Sequence, residues 1–404
     1  MLRIGITGDN FIRWGGGLDF LRTVVSSLHA TSVPMELHFL APGTGPISAL
    51  RRVDQKLTSV VKTVLGRKAL ASHTPSHADI KRAIESFDVP ITLHDIDIGI
   101  SALYRRSKKL SIDVLLPSFS PLPFDSELPW VGYLYDFQHR HLPEFFTDKE
   151  CCQRDHDFQS MLASARAVIV NANDVKKDIE HFFPDSNARV FTLPFSTAPS
   201  PDWLDLNAAS VREYYGIPPR YFIISNQFWQ HKDHATAFNA FAELAQNTES
   251  SDVALVCTGA TSDYRSMDYF NGLLEVIRLK RLESRVHILG MIPKSDQIAL
   301  MTGAIALIQP TLNEGGPGGG AVYDAVALGV PSIVSNIPVN LEITEERSVS
   351  FFRARDPSSL AQAMRVSLEA SQCRPRAAEL IQRGKERRLR CGDVLMAALD
   401  YVTH

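Results

Sequence analysis

The sequence between residues 305 and 340 constrains the fold more than any other stretch of the chain. It reads IALIQPTLNEGGPGGGAVYDAVALGVPSIVSNIPVN. An apolar run is followed by a glycine-dense loop with Glu314, by a helix-like segment with Asp324, and by a Gly-Val-Pro turn with a second apolar run. Because this order is strand, loop, helix and strand, it predicts a parallel βαβ unit.

The loop and helix of this unit have the chemistry to bind a ligand that is both phosphorylated and rich in hydroxyl groups. Glycine amides at the start of a helix bind phosphate, because the helix dipole and the unpaired N–H groups favour an anion. Glu314 and Asp324 flank these amides, and carboxylates accept hydrogen bonds from sugar hydroxyls. Glycines that only shaped a turn would carry an entropic cost without needing two acids beside them.

The rest of the chain alternates apolar runs with amphipathic stretches, which predicts parallel sheets with helical crossovers. The predicted strands are residues 2–6, 36–40, 91–93, 114–116, 130–135, 167–171 and 191–194, then 221–225, 253–258, 286–289, 304–308 and 332–334. A polar, proline-marked segment at residues 196–207 is the predicted linker. We therefore expect an α/β fold with two Rossmann-like domains, residues 1–200 and 201–375, facing each other across a cleft, and a helix over residues 376–404.

Two loops at predicted strand ends in the first domain lie where open α/β sheets bind ligands. Gly15, Gly16 and Gly17 follow the first strand, where they can bring the backbone close to an anion or form a tight strand-to-helix turn. Asp136 and His139 follow a later strand, and a histidine can exchange a proton with a sugar hydroxyl near neutral pH.

The loop after the first strand of the second domain carries a cation. Lys232 lies there close to a helix start, where an ammonium group can pair with a phosphate. Trp229 in the same loop is expected to pack in the core. His231 and His234 are expected to make hydrogen bonds within the loop.

The composition argues against several classes of protein. A net charge of -3 argues against a nucleic-acid-binding protein, and no apolar run reaches the roughly 18 to 20 residues that cross a bilayer. Five cysteines without CxxC spacing indicate free thiols in a reducing, cytoplasmic compartment. Asp95 and Asp97 match a DxD pattern that is common by chance, and no pattern completes a zinc set, so we expect neither a metal nor a cofactor.

A basic stretch at residues 50–68 has two interpretations. Its apolar residues have helical spacing, and lysines and arginines flank them against a single acid, Asp54. Such a helix could lie on an anionic membrane surface, which would place the protein peripherally on the inner face of the membrane. Alternatively, the apolar face packs on the core and the basic face is solvated.

With these residues in place, the chain resembles the retaining glycosyltransferases of family 4, or glycosyl transferases group 1, which have the GT-B fold. The resemblance is strongest over residues 225–343 and extends back to residues 135–146. It implies an acceptor-side first domain, a second domain that binds the nucleotide sugar, and a C-terminal helix that packs back toward the first domain. The implied reaction is metal-independent transfer of a sugar from a nucleoside diphosphate to a hydroxyl of a glycan or lipid-linked acceptor, in polysaccharide or glycolipid synthesis.

The family's nucleotide-sugar site has two glutamates that flank a glycine loop. Glu314 matches the first glutamate, which implies contact with hydroxyls of the donor sugar. Asp324 matches the second, which implies contact with the ribose. The amides around Gly318, Gly319 and Gly320 would meet the diphosphate.

The chain departs from the family pattern at three points. Nine residues rather than seven separate the two acids, and the second acid is an aspartate. Lys232 matches the family's phosphate-binding lysine, but Gln227 stands where its partner arginine belongs. Tyr135 stands where many members have a sugar-contacting histidine, and His139 is the predicted replacement.

Two other functions stay open. The first is a nucleotide-sugar epimerase, which uses a similar two-domain scaffold. The second is a catalytically degenerate nucleotide-sugar-binding protein, which Gln227 and Tyr135 would suit. A nicotinamide-dependent dehydrogenase is disfavoured, because the first strand is not followed by GxGxxG.

Overall fold

The computed structural model describes residues 1–8, 11–13, 16–42, 77–122, 126–246, 250–263, 265–266, 268–343, 346–370 and 374–404. Gly15 and the basic stretch at residues 50–68, both subjects of sequence predictions, lie outside the described residues.

The described strands form two parallel sheets. The first sheet contains β1 (Leu2–Thr7), β2 (Met35–Pro42), β3 (Thr92–Ile96), β4 (Val114–Ser118), β5 (Trp130–Tyr133), β6 (Ala167–Val170) and β7 (Arg189–Thr192) in the order β3-β2-β1-β4-β5-β6-β7. The second contains β8 (Arg220–Ser225), β9 (Val253–Thr258), β10 (Val286–Gly290), β11 (Leu307–Gln309), β12 (Ser332–Ser335) and β13 (Val349–Phe352) in the order β10-β9-β8-β11-β12-β13.

Helices cover the sheets. They are α1 (Gly17–Ala30), α2 (His77–Glu85), α3 (Ile100–Lys109), α4 (Gln138–His141), α5 (Asp148–Ser164), α6 (Asn173–Phe182), α7 (Ala208–Tyr214), α8 (His234–Ala245), α9 (Tyr269–Leu279), α10 (Lys294–Gly303), α11 (Gly319–Ala327), α12 (Pro357–Glu369) and α13 (Ala377–Thr403). The strands β4, β5 and β6 are buried at every residue, as expected for parallel strands that have helices on both faces.

The strand order of each sheet creates a crevice. In the first sheet β1 lies between β2 and β4, and in the second β8 lies between β9 and β11. Successive connections leave in opposite directions at these points, which opens a crevice at the carboxyl ends of the strands. Because β8 and β11 are neighbours, the loops that follow them carry Lys232 and Glu314 to the same edge of the second sheet.

The last helix, α13, returns to the first domain. It packs along α1, where a Cβ atom at Gly392 would overlap the backbone carbonyl of Ser27. Cys391, Leu395 and Leu399 of α13 belong to the same buried cluster as the apolar residues of α1 and β1. Glycine at position 392 is therefore what allows the two helices to approach so closely.

The two-domain α/β fold with a returning C-terminal helix is confirmed, and each predicted strand overlaps an observed one. The apolar pattern does not indicate β13, because this edge strand exposes Ser350 and Phe351. The domain boundaries at residues 200 and 375 remain predictions. Across the described ranges, no helix is both long and apolar enough to cross a membrane, and the thiols of the four described cysteines are free.

Candidate active site

A cavity of about 270 Å³ lies between the carboxyl edges of the two sheets. Gly16 after β1 and Tyr135 after β5 contribute to its first-domain wall, and Lys232 after β8 and Glu314 after β11 contribute to its second-domain wall. A larger depression of about 660 Å³ beside α6 and β7 is lined by none of the predicted site residues. The interdomain cavity is therefore the candidate site.

Lys232 and Glu314 form an ion pair in the cavity. Glu314 also accepts a hydrogen bond from a second side chain. The Gln309 side-chain amide donates to Glu314 Oε1 at 3.0 Å and to the carbonyl of Gly318 at 2.8 Å. Asn226 in turn donates to Gln309 Oε1 at 2.5 Å. Gln309 and Asn226 thus fix the carboxylate in the site. Neither residue is predicted from the sequence, since a buried amide side chain leaves no signal in the motif.

The glycine loop turns sharply into α11. Gly318 and Gly319 have φ values of 73° and 65°, a left-handed conformation that favours glycine. A Cβ atom at Gly319 would lie 2.8 Å from the Glu314 carboxylate. The acid therefore lies directly over the start of the helix, and the glycine makes room for it.

Two backbone amides of the glycine loop already donate hydrogen bonds within the protein. The Gly318 N–H donates to Asn340 Oδ1 at 2.7 Å, and the Gly319 N–H donates to the Gly316 carbonyl at 3.1 Å. Gly319 and Gly320 line the cavity. The predicted phosphate contacts of Gly318 and Gly319 would therefore require their amides to leave Asn340 and the Gly316 carbonyl.

Asp324 lies one turn into α11 and pairs with Lys294 at the start of α10. Lys294 also lies 3.7 Å from Asp19 of α1, across the cleft. Burial raises the pKa of Asp324, and the Lys294 ammonium only partly offsets this. Burial lowers the pKa of Lys294, but Asp324 and Asp19 outweigh it, so the net pKa shift is upward. Lys294 has no motif around it, so only the structure identifies it as the partner of Asp324.

Asp136 lines the cavity on the first-domain side. Its Oδ1 atom accepts hydrogen bonds from the backbone N–H of Gln138 at 2.9 Å and from Arg154 at 2.5 Å. The Arg154 guanidinium also lies 4.8 Å from the ring centre of Tyr135. Asp136 is therefore a firmly oriented carboxylate beside Tyr135, in the place where a catalytic or acceptor contact is predicted.

The prediction that His139 contacts the sugar is wrong for this geometry. The His139 side chain is fully buried, and its Nε2 atom lies 2.9 Å from Asp155 of α5. Burial lowers its pKa despite this acid. The helical turn of α4 directs the ring into the first domain and away from the cleft, so His139 does not replace the family histidine.

Gln227 and Gly17 also lie elsewhere than the donor-binding prediction requires. Gln227 is partly exposed after β8 and does not line the cavity. Gly17 is buried at the start of α1, where a Cβ atom would overlap the backbone carbonyl of Phe11. Its role here is the tight strand-to-helix turn. Gly16 does line the cavity.

The loop after β8 departs from expectation at Trp229. This residue is partly exposed and lines the cavity, so the prediction of core packing is wrong. The Arg265 guanidinium lies 5.1 Å from its ring centre and 3.4 Å from Nδ1 of His231. Burial lowers the pKa of His231 well below its usual value, and Lys232 and Arg265 add to this effect. A neutral His231 next to Lys232 avoids charge repulsion in the site.

His234 is part of the second-domain core. Its ring stacks on Phe228, with 4.2 Å between the ring centres, and neither ring nitrogen has a hydrogen-bond partner among the described residues. Burial lowers its pKa to about 3. The expectation of a loop hydrogen bond for its side chain is therefore wrong, and His234 acts as a neutral, apolar-like ring.

Two of the contacts between the domains lie beside the cavity at Gly315 and Glu342. Gly315 packs against the first domain so closely that a Cβ atom there would overlap the backbone carbonyl of Tyr135. Glu342 of the second domain accepts hydrogen bonds from the backbone N–H groups of Asn173 and Asp174 at 2.9 and 2.7 Å. These N–H groups are at the start of α6, so Glu342 caps a helix of the opposite domain. The structure therefore shows a closed arrangement.

Within the described ranges, no group of three or more His, Cys, Asp or Glu side chains is arranged to hold a metal ion. The DxD pair contributes to no such group: Asp95 lies in β3 and Asp97 follows it.

The fold is that of GT-B glycosyltransferases. The chain superposes on HepE from Anabaena in complex with UDP-glucose (13% identity, TM-score 0.64, covering 99% of each chain). It also superposes on a glycosyltransferase from Rickettsia africae (13%, 0.62, 100% of this chain and 96% of that one). A third similar structure is sucrose-phosphate synthase from Thermosynechococcus elongatus (14%, 0.61, 99% and 97%). At these identities the likeness defines the fold alone.

The match to a sequence family covers less of the chain than the structural similarity does. Residues 212–387 match the family described as glycosyl transferases group 1. No curated protein sequence matches the chain. The resemblance to glycosyl transferases group 1 is therefore confirmed over the second domain, which contains Lys232, Glu314 and Asp324. The contacts of these residues with a ligand remain predictions.

Proposed function

We propose that the protein transfers a sugar from a nucleoside diphosphate sugar to an acceptor hydroxyl, with retention at the anomeric carbon. The observation that carries this proposal is the convergence of Lys232, Glu314 and Asp324 on one interdomain cavity, at the start of α11. The family match over residues 212–387 supports the same reaction class.

The two ion pairs suggest how the donor would bind. The diphosphate would take Lys232 from Glu314, and the freed carboxylate would accept hydrogen bonds from the donor sugar. At the other end, the Asp324 carboxylate would accept hydrogen bonds from the ribose while Lys294 balances its charge. The pairs would hold both carboxylates in place before the donor arrives, because an unpaired buried carboxylate would be costly.

The reaction would place growing negative charge on the leaving diphosphate and oxocarbenium character on the sugar. Lys232 and the amides at the start of α11 would stabilise that leaving group in a closed cleft. These groups supply positive charge without a metal, which is why we propose a metal-independent enzyme. We also propose a same-face reaction, with the acceptor hydroxyl approaching from the side of Asp136.

We propose a glycan or lipid-linked acceptor, in polysaccharide or glycolipid synthesis in the cytoplasm. Peripheral contact with the inner face of the membrane would depend on the basic stretch at residues 50–68. A second candidate function is a degenerate nucleotide-sugar-binding protein. Gln227 favours it, because this residue leaves Lys232 without the family's second cation.

Calorimetry with uridine, guanosine and thymidine diphosphates tests donor binding. HepE, whose fold this chain shares, was solved with UDP and with UDP-glucose, so uridine diphosphate is the first probe. We expect one of the three to bind, and Asp324→Asn to weaken its affinity by about 10- to 100-fold, as for lost hydrogen bonds to a charged group of about 1.5 to 3 kcal/mol. The exposed Glu283 provides the control, Glu283→Gln, which should leave the affinity unchanged.

Unchanged affinity in Asp324→Asn would remove the ribose role. Absence of binding of all three diphosphates to the wild-type protein would remove the donor proposal. Binding combined with no release of diphosphate from any nucleotide sugar, across many acceptors, would favour the degenerate binding protein.

A further inference from the structure

The arginines on the first-domain wall are not explained by donor binding. Of the described residues that line the cavity, Arg22, Lys232 and Arg388 are its permanent cations. Lys232 is neutralised by Glu314. Arg22 projects from α1 and Arg388 from α13, the two helices that meet at Gly392.

Arg22 is only partly satisfied. Its Nη1 atom lies 3.7 Å from Asp19, and its Nη2 atom donates to the Ser86 hydroxyl at 3.0 Å. The Nε atom is buried, and no described residue forms a hydrogen bond with it. Asp19 is also shared with Lys294. The Arg22 guanidinium therefore has one N–H group that is unpaired within the described structure, and it shares its acidic partner Asp19 with Lys294.

Arg388 has no directly paired acid among the described residues. It is partly buried, and none of the described residues forms a hydrogen bond or an ion pair with its side chain. Burial lowers its pKa, and the neighbouring Arg22 lowers it further against a weaker opposing effect of Asp88. A partly buried guanidinium beside a second one is unfavourable unless an anion joins them.

We propose that Arg22 and Arg388 form an anion site on the first-domain wall, which binds a phosphate or carboxylate group of the acceptor. The planar guanidinium fork matches both of these groups in geometry and charge. The inference rests on the proposed function, because that function assigns the diphosphate of the donor to Lys232 and α11 on the opposite wall. The acceptor is therefore expected to be an anionic molecule, such as a phosphorylated polyol or glycan.

The site lies on the wall that faces the residues assigned to the donor, and Arg22 is close enough to act electrostatically on Asp324 and Lys294. Arg22 and Arg388 belong to α1 and α13, whereas Lys232, Glu314 and Asp324 all belong to the second domain. Lys294 and Asp19 pair across the cleft between the two walls. A ligand held by the arginines would thus lie against the first domain, where the acceptor of a two-domain transferase is expected.

The test is a titration of inorganic phosphate into the full-length protein saturated with its nucleoside diphosphate. The bound diphosphate occupies Lys232, so only a second anion site remains to be measured. We expect phosphate to bind the wild-type complex. Arg388→Gln and Arg22→Gln should each lower the affinity for phosphate at least tenfold. Affinity for the nucleoside diphosphate should change less than about twofold. Arg383→Gln serves as the control, since Arg383 lies exposed on α13 and pairs with Glu379.

A second arm distinguishes an acceptor group from free phosphate. Glycerol 3-phosphate should bind the wild-type complex at least tenfold more tightly than glycerol, and Arg388→Gln should abolish this preference. Arg388→Lys keeps the positive charge and should therefore retain part of the preference for glycerol 3-phosphate. Melting temperatures of the variants verify that each is folded.

Three results would overturn the anion site. One is equal phosphate affinity in wild type and Arg388→Gln. Another is a loss of nucleoside diphosphate affinity in Arg388→Gln as large as its loss of phosphate affinity, which would assign the arginines to the donor. The third is no preference for glycerol 3-phosphate over glycerol. Failure of the wild-type protein to bind any nucleoside diphosphate would instead contradict the proposed function, and the phosphate titration would then be read on the unliganded protein.

Discussion

Replacing Lys232 by alanine, or Glu314 by alanine, is expected to lower donor turnover by about 100- to 1,000-fold while leaving the fold intact. Removal of one preorganised group that stabilises charge in a transition state costs about 3 to 4 kcal/mol. Lys232 would meet the leaving diphosphate, and Glu314 the donor sugar. Release of nucleoside diphosphate from the donor in the presence of acceptor measures the effect.

The two side chains are 13% and 11% exposed, so each single variant leaves a nearly buried charge without its partner. A loss of stability could then imitate a loss of catalysis. The double variant Lys232→Met with Glu314→Gln removes both charges and should recover much of the stability but none of the turnover. A purely structural ion pair would instead regain turnover in the double variant.

Arg220→Gln is the matched control for this series. Arg220 and Asp252 form an ion pair at 2.7 Å on the surface of the second domain, with side chains 43% and 57% exposed. Exposed pairs contribute little to stability, so turnover and melting temperature should stay close to wild type. Wild-type turnover in both Lys232→Ala and Glu314→Ala would refute the assignment of the site.

The second large effect is expected at Gly315. Gly315→Ala would place a methyl group onto the backbone carbonyl of Tyr135 in the opposite domain. A backbone carbonyl cannot move aside as a flexible side chain can, so the domains should be held apart. We expect turnover to fall by about 100-fold, since small displacements of reacting groups carry penalties of that order. Binding of the nucleoside diphosphate to the second domain should change much less.

Small-angle X-ray scattering and steady-state kinetics together measure this prediction. Gly315→Ala should have a larger radius of gyration than the wild type, with turnover reduced and nucleotide affinity largely kept. Gly272→Ala in α9 is the control, because a Cβ there would have no described atom within 4 Å apart from its chain neighbours and its own helix backbone. An unchanged radius of gyration with wild-type turnover in Gly315→Ala would show that this contact does not govern domain closure.

The sequence predicts the parts of the fold that depend on local pattern. The predicted strands are short apolar runs, and the order of runs and helices leads to two parallel sheets. Glu314 and Lys232 meet because β8 and β11 are adjacent, which follows from the strand order of a doubly wound sheet.

Other features depend on side-chain direction or on distant partners, which no local pattern records. His139 follows a strand just as Asp136 does, but one turn of α4 directs its ring toward Asp155. Lys294 is 30 residues from Asp324, and no motif surrounds it. Arg22 and Arg388 come together only because the last helix returns to the first domain. Long-range packing, not composition, therefore determines which side chains lie together in the cleft.

A crystal structure of the protein with a nucleoside diphosphate sugar would show whether Lys232, Glu314 and Asp324 bind the donor. We predict a phosphate oxygen at about 2.8 Å from the Lys232 ammonium, as in charge-assisted hydrogen bonds, with Glu314 on hydroxyls of the sugar and Asp324 on the ribose. A diphosphate bound away from Lys232, with the Lys232–Glu314 ion pair intact, would contradict it.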